Sequence, residues 1–182
     1  MKQPTVIDGF LFGPEHYRRK ALEMDYRSYH FEHCVFHGIA IDSAEGLVPS
    51  LIRELYPAAK PTLSFFRRSP EGQEEPHFIH SDADMGDWTA VLYLNPEPPD
   101  GDGTDFWTHR ATGAIGSRIP HERSEEGKST HGWFLRERVA ARFNRIVLFP
   151  SIFFHSRAIH RNWSRGEEAR LTQVVFGTGE IL

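Results

Sequence analysis

His80-Ser81-Asp82-Ala83-Asp84-Met85-Gly86-Asp87-Trp88-Thr89-Ala90-Val91-Leu92-Tyr93-Leu94 is the stretch whose reading decides the fold of this chain. A strand places residues i and i+2 on one face, so His80 and Asp82 can address the same point. The polar loop after them gives way to the apolar run 90–94, which reads as a buried strand. Working outward, everything after Pro76 has the texture of short strands: 77–81, 89–94, 104–109, 145–149, 152–155 and 170–176. Pro/Gly/Asp-rich turns separate them, above all Asn95-Pro96-Glu97-Pro98-Pro99-Asp100-Gly101-Asp102-Gly103.

Upstream the texture is helical. Residues 8–24 begin with a short strand and run into a helix with Pro14 in its first turn and Tyr17, Ala21 and Leu22 as an apolar stripe. A strand over 35–41 precedes a second helix, capped by Asp42 or Ser43, in which Leu47, Leu51, Ile52 and Leu55 recur at helical spacing. Residues 62–67 read as another strand. Helices first and strands afterwards predict an α+β domain built around a sandwich or barrel. With 182 residues the chain fits a single domain, 1–182, with N-terminal helices and flanking strands over 1–70 and a strand-rich core over 77–177. Residues 110–132 lack apolar periodicity and read as a lid loop.

Composition narrows the function. The single cysteine, Cys34, excludes an intrachain disulfide and fits a cytoplasmic location. The early apolar run Val6-Ile7-Asp8-Gly9-Phe10-Leu11-Phe12 is broken by Asp8 and Gly9, which argues against a signal peptide or a membrane span. Residues 71–107 hold ten acidic side chains and no lysine or arginine, whereas 109–145 hold eight basic side chains against four acidic ones. That contrast fits either a self-balancing domain or an acidic wall facing a basic flap that greets an anion. Net charge of -4 argues against a surface given over to nucleic acid. The sequence sets no oligomeric state.

The chemistry sits in three places. His80 and Asp82, joined by His155 behind the apolar run Leu148-Phe149-Pro150-Ser151-Ile152-Phe153-Phe154, form a two-histidine, one-carboxylate set suited to Fe(II) with open positions. Asp84 competes with Asp82, and His160 with His155, while His77, His109, His121 and His131 read as surface or lid residues. Arg170 heads the strand Arg170-Leu171-Thr172-Gln173-Val174-Val175-Phe176 and offers a fork for a carboxylate. Trp88, Trp107, Phe65 and Phe66 read as pocket lining or as core.

His80-Ser81-Asp82, Ala90-Val91-Leu92-Tyr93-Leu94-Asn95, Gly101-Asp102-Gly103-Thr104-Asp105-Phe106, Asn144-Arg145-Ile146-Val147-Leu148-Phe149-Pro150, His155 and Arg170-Leu171-Thr172 occur in that order. Together they resemble the Fe(II)- and 2-oxoglutarate-dependent dioxygenases, especially the prolyl-4-hydroxylase-like branch, over roughly residues 77–177. The Ile7-Asp8-Gly9-Phe10 segment gives a weaker echo. The resemblance implies a double-stranded β-helix (a jelly-roll, cupin-like barrel) with the N-terminal helices packed on the major sheet. It implies His80, Asp82 and His155 as catalytic iron ligands, and Arg170, Tyr93 and Thr172 as the 2-oxoglutarate contacts. Many members of that branch carry the basic residue near the position of Arg165, which here falls in a turn, so Arg170 is preferred. The implied activity is hydroxylation of a C–H bond in a small molecule, amino acid or peptide side chain, consuming O2 and releasing succinate and carbon dioxide. Two other readings stand beside it: a barrel that binds metal or ligand without catalysis, and a nucleic-acid-modifying dioxygenase suggested by arginines among Trp107, Trp133 and Phe134.

Overall fold

The computed structural model describes residues 3–30, 35–73, 78–119, 125–159 and 162–181. Cys34, His77, His121 and His160 lie outside them, as does part of the expected lid. Ten strands and two α-helices occur among the described residues: β1 (Thr5–Ile7), α1 (Pro14–Leu22), β2 (Arg27–His30), β3 (Val35–Asp42), α2 (Leu47–Leu55), β4 (Lys60–Ser69), β5 (Trp88–Tyr93), β6 (Gly103–His109), β7 (Trp133–Ala140), β8 (Arg145–Pro150), β9 (His155–Arg157) and β10 (Arg170–Thr178). One sheet of seven strands runs β1-β8-β5-β10-β4-β3-β2, and a second of three runs β7-β6-β9. All named pairings are antiparallel. No described helix is long and apolar enough to cross a membrane.

Alternation along the strands separates two interiors. On the outer face of the larger sheet, Ala40, Phe66, Ala90, Leu92, Ile146, Leu148, Leu171 and Val175 form one buried cluster that also takes in Ala21 of α1 and Val48 and Ile52 of α2. On the inner face, Tyr93, Val147 and Phe149 join Phe106 and Val139 of the smaller sheet in a second cluster, which lies between the sheets. The polar site is built around this second layer.

Several local expectations are corrected. The α2 cap is Gly46, because Ser43 closes a turn of its own by accepting the Gly46 N–H at its carbonyl, 2.9 Å, and the Glu45 N–H at its hydroxyl, 3.0 Å. His80 makes an isolated bridge to His155, and no strand spans the described part of 77–81. Residues 151–152 turn, so the strand expected over 152–155 begins only at His155. Strands β2 and β7 have no counterpart in the sequence reading.

Within the expected lid, a 3-10 turn, Glu126–Lys128, is pinned down by the Ile79 N–H donating to the Gly127 carbonyl, 2.9 Å. A Cβ on Gly127 would lie 2.1 Å from the Ile79 carbonyl oxygen, so only glycine allows this approach beside the first candidate ligand.

Candidate metal and cosubstrate site

The antiparallel bridge brings the two histidines together. His80 N–H donates to the His155 carbonyl at 3.0 Å, and His155 N–H donates back at 2.8 Å. Residues exchanging both bonds point to one face, and the imidazole centroids lie 4.4 Å apart. Each ring is oriented from behind: the Nδ1–H of His80 donates to the Phe78 carbonyl, 3.0 Å, and that of His155 to the Phe153 carbonyl, 2.9 Å. In the neutral imidazole this leaves each Nε2 as the lone-pair donor, which is how metal-binding histidines are held.

The Asp82 carboxylate sits between the two Nε2 atoms, Oδ1 at 3.5 Å from His80 and Oδ2 at 3.2 Å from His155. Its backbone N–H is fixed to the Ser151 carbonyl, 2.8 Å, and Oδ2 accepts from the Thr89 hydroxyl, 3.3 Å. Burial alone pushes the Asp82 carboxyl up, but the two imidazoles overcome it and hold the group well below the usual carboxylate range. Burial likewise works against His80 protonation and is outweighed by Asp82, so the His80 pKa is raised.

The three ligand atoms all lie within 4.8 Å of one another. Two donors about 2.1 Å from one ion at right angles are roughly 3 Å apart, so the set fits a single ion after small closure. Two imidazoles and a carboxylate on one side of an ion leave its other side open, the donor set expected of an oxygen-using iron site.

The opposite end of the inner face is cationic. Arg170, Thr172, Val174 and Phe176 of β10 share that face with Thr89, Val91 and Tyr93 of β5, Thr172 standing directly opposite Tyr93. Tyr93 lies four residues from Thr89, roughly 13 Å along the strand, so a short molecule fits between the acidic and basic ends. The Tyr93 hydroxyl and the Thr104 hydroxyl lie 2.6 Å apart, and burial pushes the phenol up to about 12, which keeps it neutral.

Arg170 is buried. Its Nε–H is shared between the two Asp102 oxygens at 3.2 Å each, and its guanidinium carbon stands 6.0 Å from the Tyr93 ring centre. Its terminal nitrogens make no hydrogen bond among the described residues and are not sealed from solvent, so they can receive a carboxylate. Asn95 clamps the start of β10 around this side chain, accepting the Leu171 N–H at 2.7 Å and donating to the Ala169 carbonyl at 3.0 Å.

The other candidates fall elsewhere. Arg165 is exposed and pairs with Glu71 at 2.9 Å. Asp84 is exposed and stands outside the clustered donors, and His131 is exposed. His109, expected at the surface or in the lid, is buried instead: Glu126 Oε2 lies 2.6 Å from its Nε2, and Trp133 packs edge-on at 5.0 Å between centroids. Trp88 and Trp107 are core residues whose indole N–H groups bond the Thr178 carbonyl and the Ser156 hydroxyl. Phe66 lies in the outer cluster, while Phe65 faces inward against Phe176.

Sequence reasoning passed over Asp102, Asn95, Arg136 and Arg67. Arg67 stands opposite Thr172 on β4, and its charge opposes protonation of His80. Its signal was parity, since it occupies an inward position two residues after Phe65.

With this geometry in place, a profile of a family of unknown function, DUF6445, matches residues 69–176. The chain belongs to that family. Among curated proteins, none matches. Solved structures share the DUF6445 chain's architecture at low identity. HygX from Streptomyces hygroscopicus, with nickel and 2-oxoglutarate bound, has a TM-score of 0.58 at 15% identity, covering 96% of this chain and 82% of its own. SnoK, a non-heme alpha ketoglutarate dependent carbocyclase from nogalamycin biosynthesis, has 0.61 at 14%, covering 96% and 79%. AviO1 from Streptomyces viridochromogenes Tue57 has 0.59 at 12%, covering 97% and 89%. These likenesses show a jelly-roll-like fold, seen with 2-oxoglutarate bound in HygX and shared by SnoK, which is alpha ketoglutarate dependent.

Proposed function

We propose that this chain is an Fe(II)- and 2-oxoglutarate-dependent oxygenase of the prolyl-4-hydroxylase-like kind, acting as one domain on a C–H bond of a small molecule, amino acid or peptide side chain. The observation that carries the reading is the convergence of His80, Asp82 and His155, with both histidine Nε2 atoms aimed at one carboxylate and both Nδ1 atoms tied back. Bound there, Fe(II) and 2-oxoglutarate would supply oxidation of the substrate by O2, with succinate and carbon dioxide as coproducts.

The chain's own residues have separable roles. His80, Asp82 and His155 hold the ion on one side and leave the other open. Arg170 receives the far carboxylate of 2-oxoglutarate in a planar fork, pre-oriented by Asp102, which removes part of the cost of ordering a long side chain. Tyr93 and Thr172 offer hydroxyl donors beside it, and Phe106, Phe149 and Phe153 exclude water from the wall behind the ligands.

Anaerobic addition of Fe(II) and 2-oxoglutarate tests the reading. The expected result is a weak visible charge-transfer band that disappears in the His80→Ala/Asp82→Ala double variant. No band in the wild-type protein, or the same band in the double variant, contradicts it.

A further inference from the structure

Arg136 stands in the same transverse row as the two histidines. His80 is bridged to His155, and His155 pairs with Phe106. Phe106 opposes Glu137, and the register then skips Arg136, the extra residue of a β-bulge between β6 and β7. Neighbouring strands lie about 4.8 Å apart, so the Arg136 backbone is roughly 10 Å from that of His155 along one wall. Bulges re-aim side chains and recur beside active sites. Here the bulge lays the guanidinium across the aromatic wall, with its central carbon 4.7 Å from the Phe153 ring centre and 5.9 Å from that of Phe106. Phe106 packs on Phe149 at 5.0 Å, and Phe149 on the His155 ring at 4.8 Å.

Both terminal nitrogens of Arg136 are buried, and neither has a hydrogen-bond partner among the described residues. Burial pulls its pKa down, opposed by the charge of Glu137, yet no hydrogen bond joins the two side chains. Unbonded buried donors are costly, more so on a charged group, and stacking on two rings offsets only part of that cost. Arg170 differs, because Asp102 already matches its charge. An unmatched planar fork on a water-poor wall is the complement of an oxyanion, which reaches these covered nitrogens once the side chain turns off the two rings.

We propose that Arg136 is the substrate-anchoring residue, binding a carboxylate or phosphate group of a substrate whose apolar body lies against Phe106 and Phe153. The proposal rests on the oxygenase reading and names its substrate class. Because 2-oxoglutarate is assigned to Arg170, the oxyanion at Arg136 belongs to the molecule being oxidised. Its reactive C–H then lies between Arg136 and the set formed by His80, Asp82 and His155.

The test uses the full chain loaded with Ni(II) and 2-oxoglutarate, which assembles the site without turnover. Phenylacetate, phenyl phosphate and the neutral phenylacetamide are titrated in, with binding read by ligand-observed NMR. The expected result is that at least one anion binds about tenfold or more tightly than the amide. That preference drops below about twofold in Arg136→Gln and returns in part in Arg136→Lys, as expected when a charge is restored without its fork. Preference for phenylacetate identifies an organic acid as substrate, and preference for phenyl phosphate a phosphate ester. Binding of both anions no tighter than the amide, no binding of any of the three, or a preference that survives Arg136→Gln overturns the proposal. Failure of the wild-type protein to take up 2-oxoglutarate overturns the oxygenase reading instead.

Discussion

Leu171, Gln173 and Val175 on the outer face of β10 meet a closed environment, whereas Arg170, Thr172, Val174 and Phe176 on its inner face border the candidate site. The one polar side chain of the outer three is fully matched. Gln173 donates to Asp42 and Ser64 at 2.9 Å each and accepts from the Tyr17 hydroxyl at 2.7 Å. On the inner side of the barrel, Arg170 leaves donors to spare and Arg136 has two buried nitrogens unbonded. One strand thus separates a face that spends its polarity on folding from a face that holds polarity in reserve for ligands. Stability and binding are expected to respond to different residues that are direct neighbours along the chain.

The comparison breaks most visibly at Leu171, which is wholly buried. Leu171→Ala should cost about 2–5 kcal/mol of stability, measured by denaturant unfolding, while the iron–cosubstrate band persists in the folded fraction. A loss of the band in folded protein would show that the faces are not independent. On the inner face, Arg170→Lys keeps the charge beside Asp102 but loses the fork. It should weaken 2-oxoglutarate binding by about tenfold with little change in unfolding midpoint. An unchanged affinity would move the anchor away from Arg170.

The smallest expected effect is in pH. With its pKa raised in the folded state, His80 contributes stability below the ordinary imidazole value of about 6.5, and that contribution is lost as pH rises through the raised value. The thermal midpoint of metal-free protein should therefore sag slightly over that window, and the sag should vanish in His80→Gln. Metal uptake should run the other way, weakening as pH falls, because His80 must give up its proton to bind.

How far the sequence carries depends on periodicity. The run 90–94 and the alternation of Arg170 and Thr172 are local patterns that fall where strand geometry puts them, whereas His80 and Asp82 converge without a strand, through the bridge of His80 to His155 and the bond of the Asp82 N–H to Ser151. The β7 strand escaped because the bulge at Arg136 breaks its period, and Phe134 and Leu135 are both exposed, so no apolar alternation shows. For the same reason the arginine proposed to meet substrate does not stand out within 109–145, a segment whose eight basic residues read only collectively as a flap that greets an anion. β2 is exposed at all four residues and carries no burial signal. His109 was misplaced because its burial depends on Glu126 and Trp133, 17 and 24 positions away in sequence.

The most direct measurement is calorimetric titration of 2-oxoglutarate into the protein with and without Ni(II), repeated on Asp82→Ala. The account predicts one cosubstrate per chain, bound only when metal is present and lost in the variant. Tight binding that needs no metal, or that survives Asp82→Ala unchanged, would contradict it.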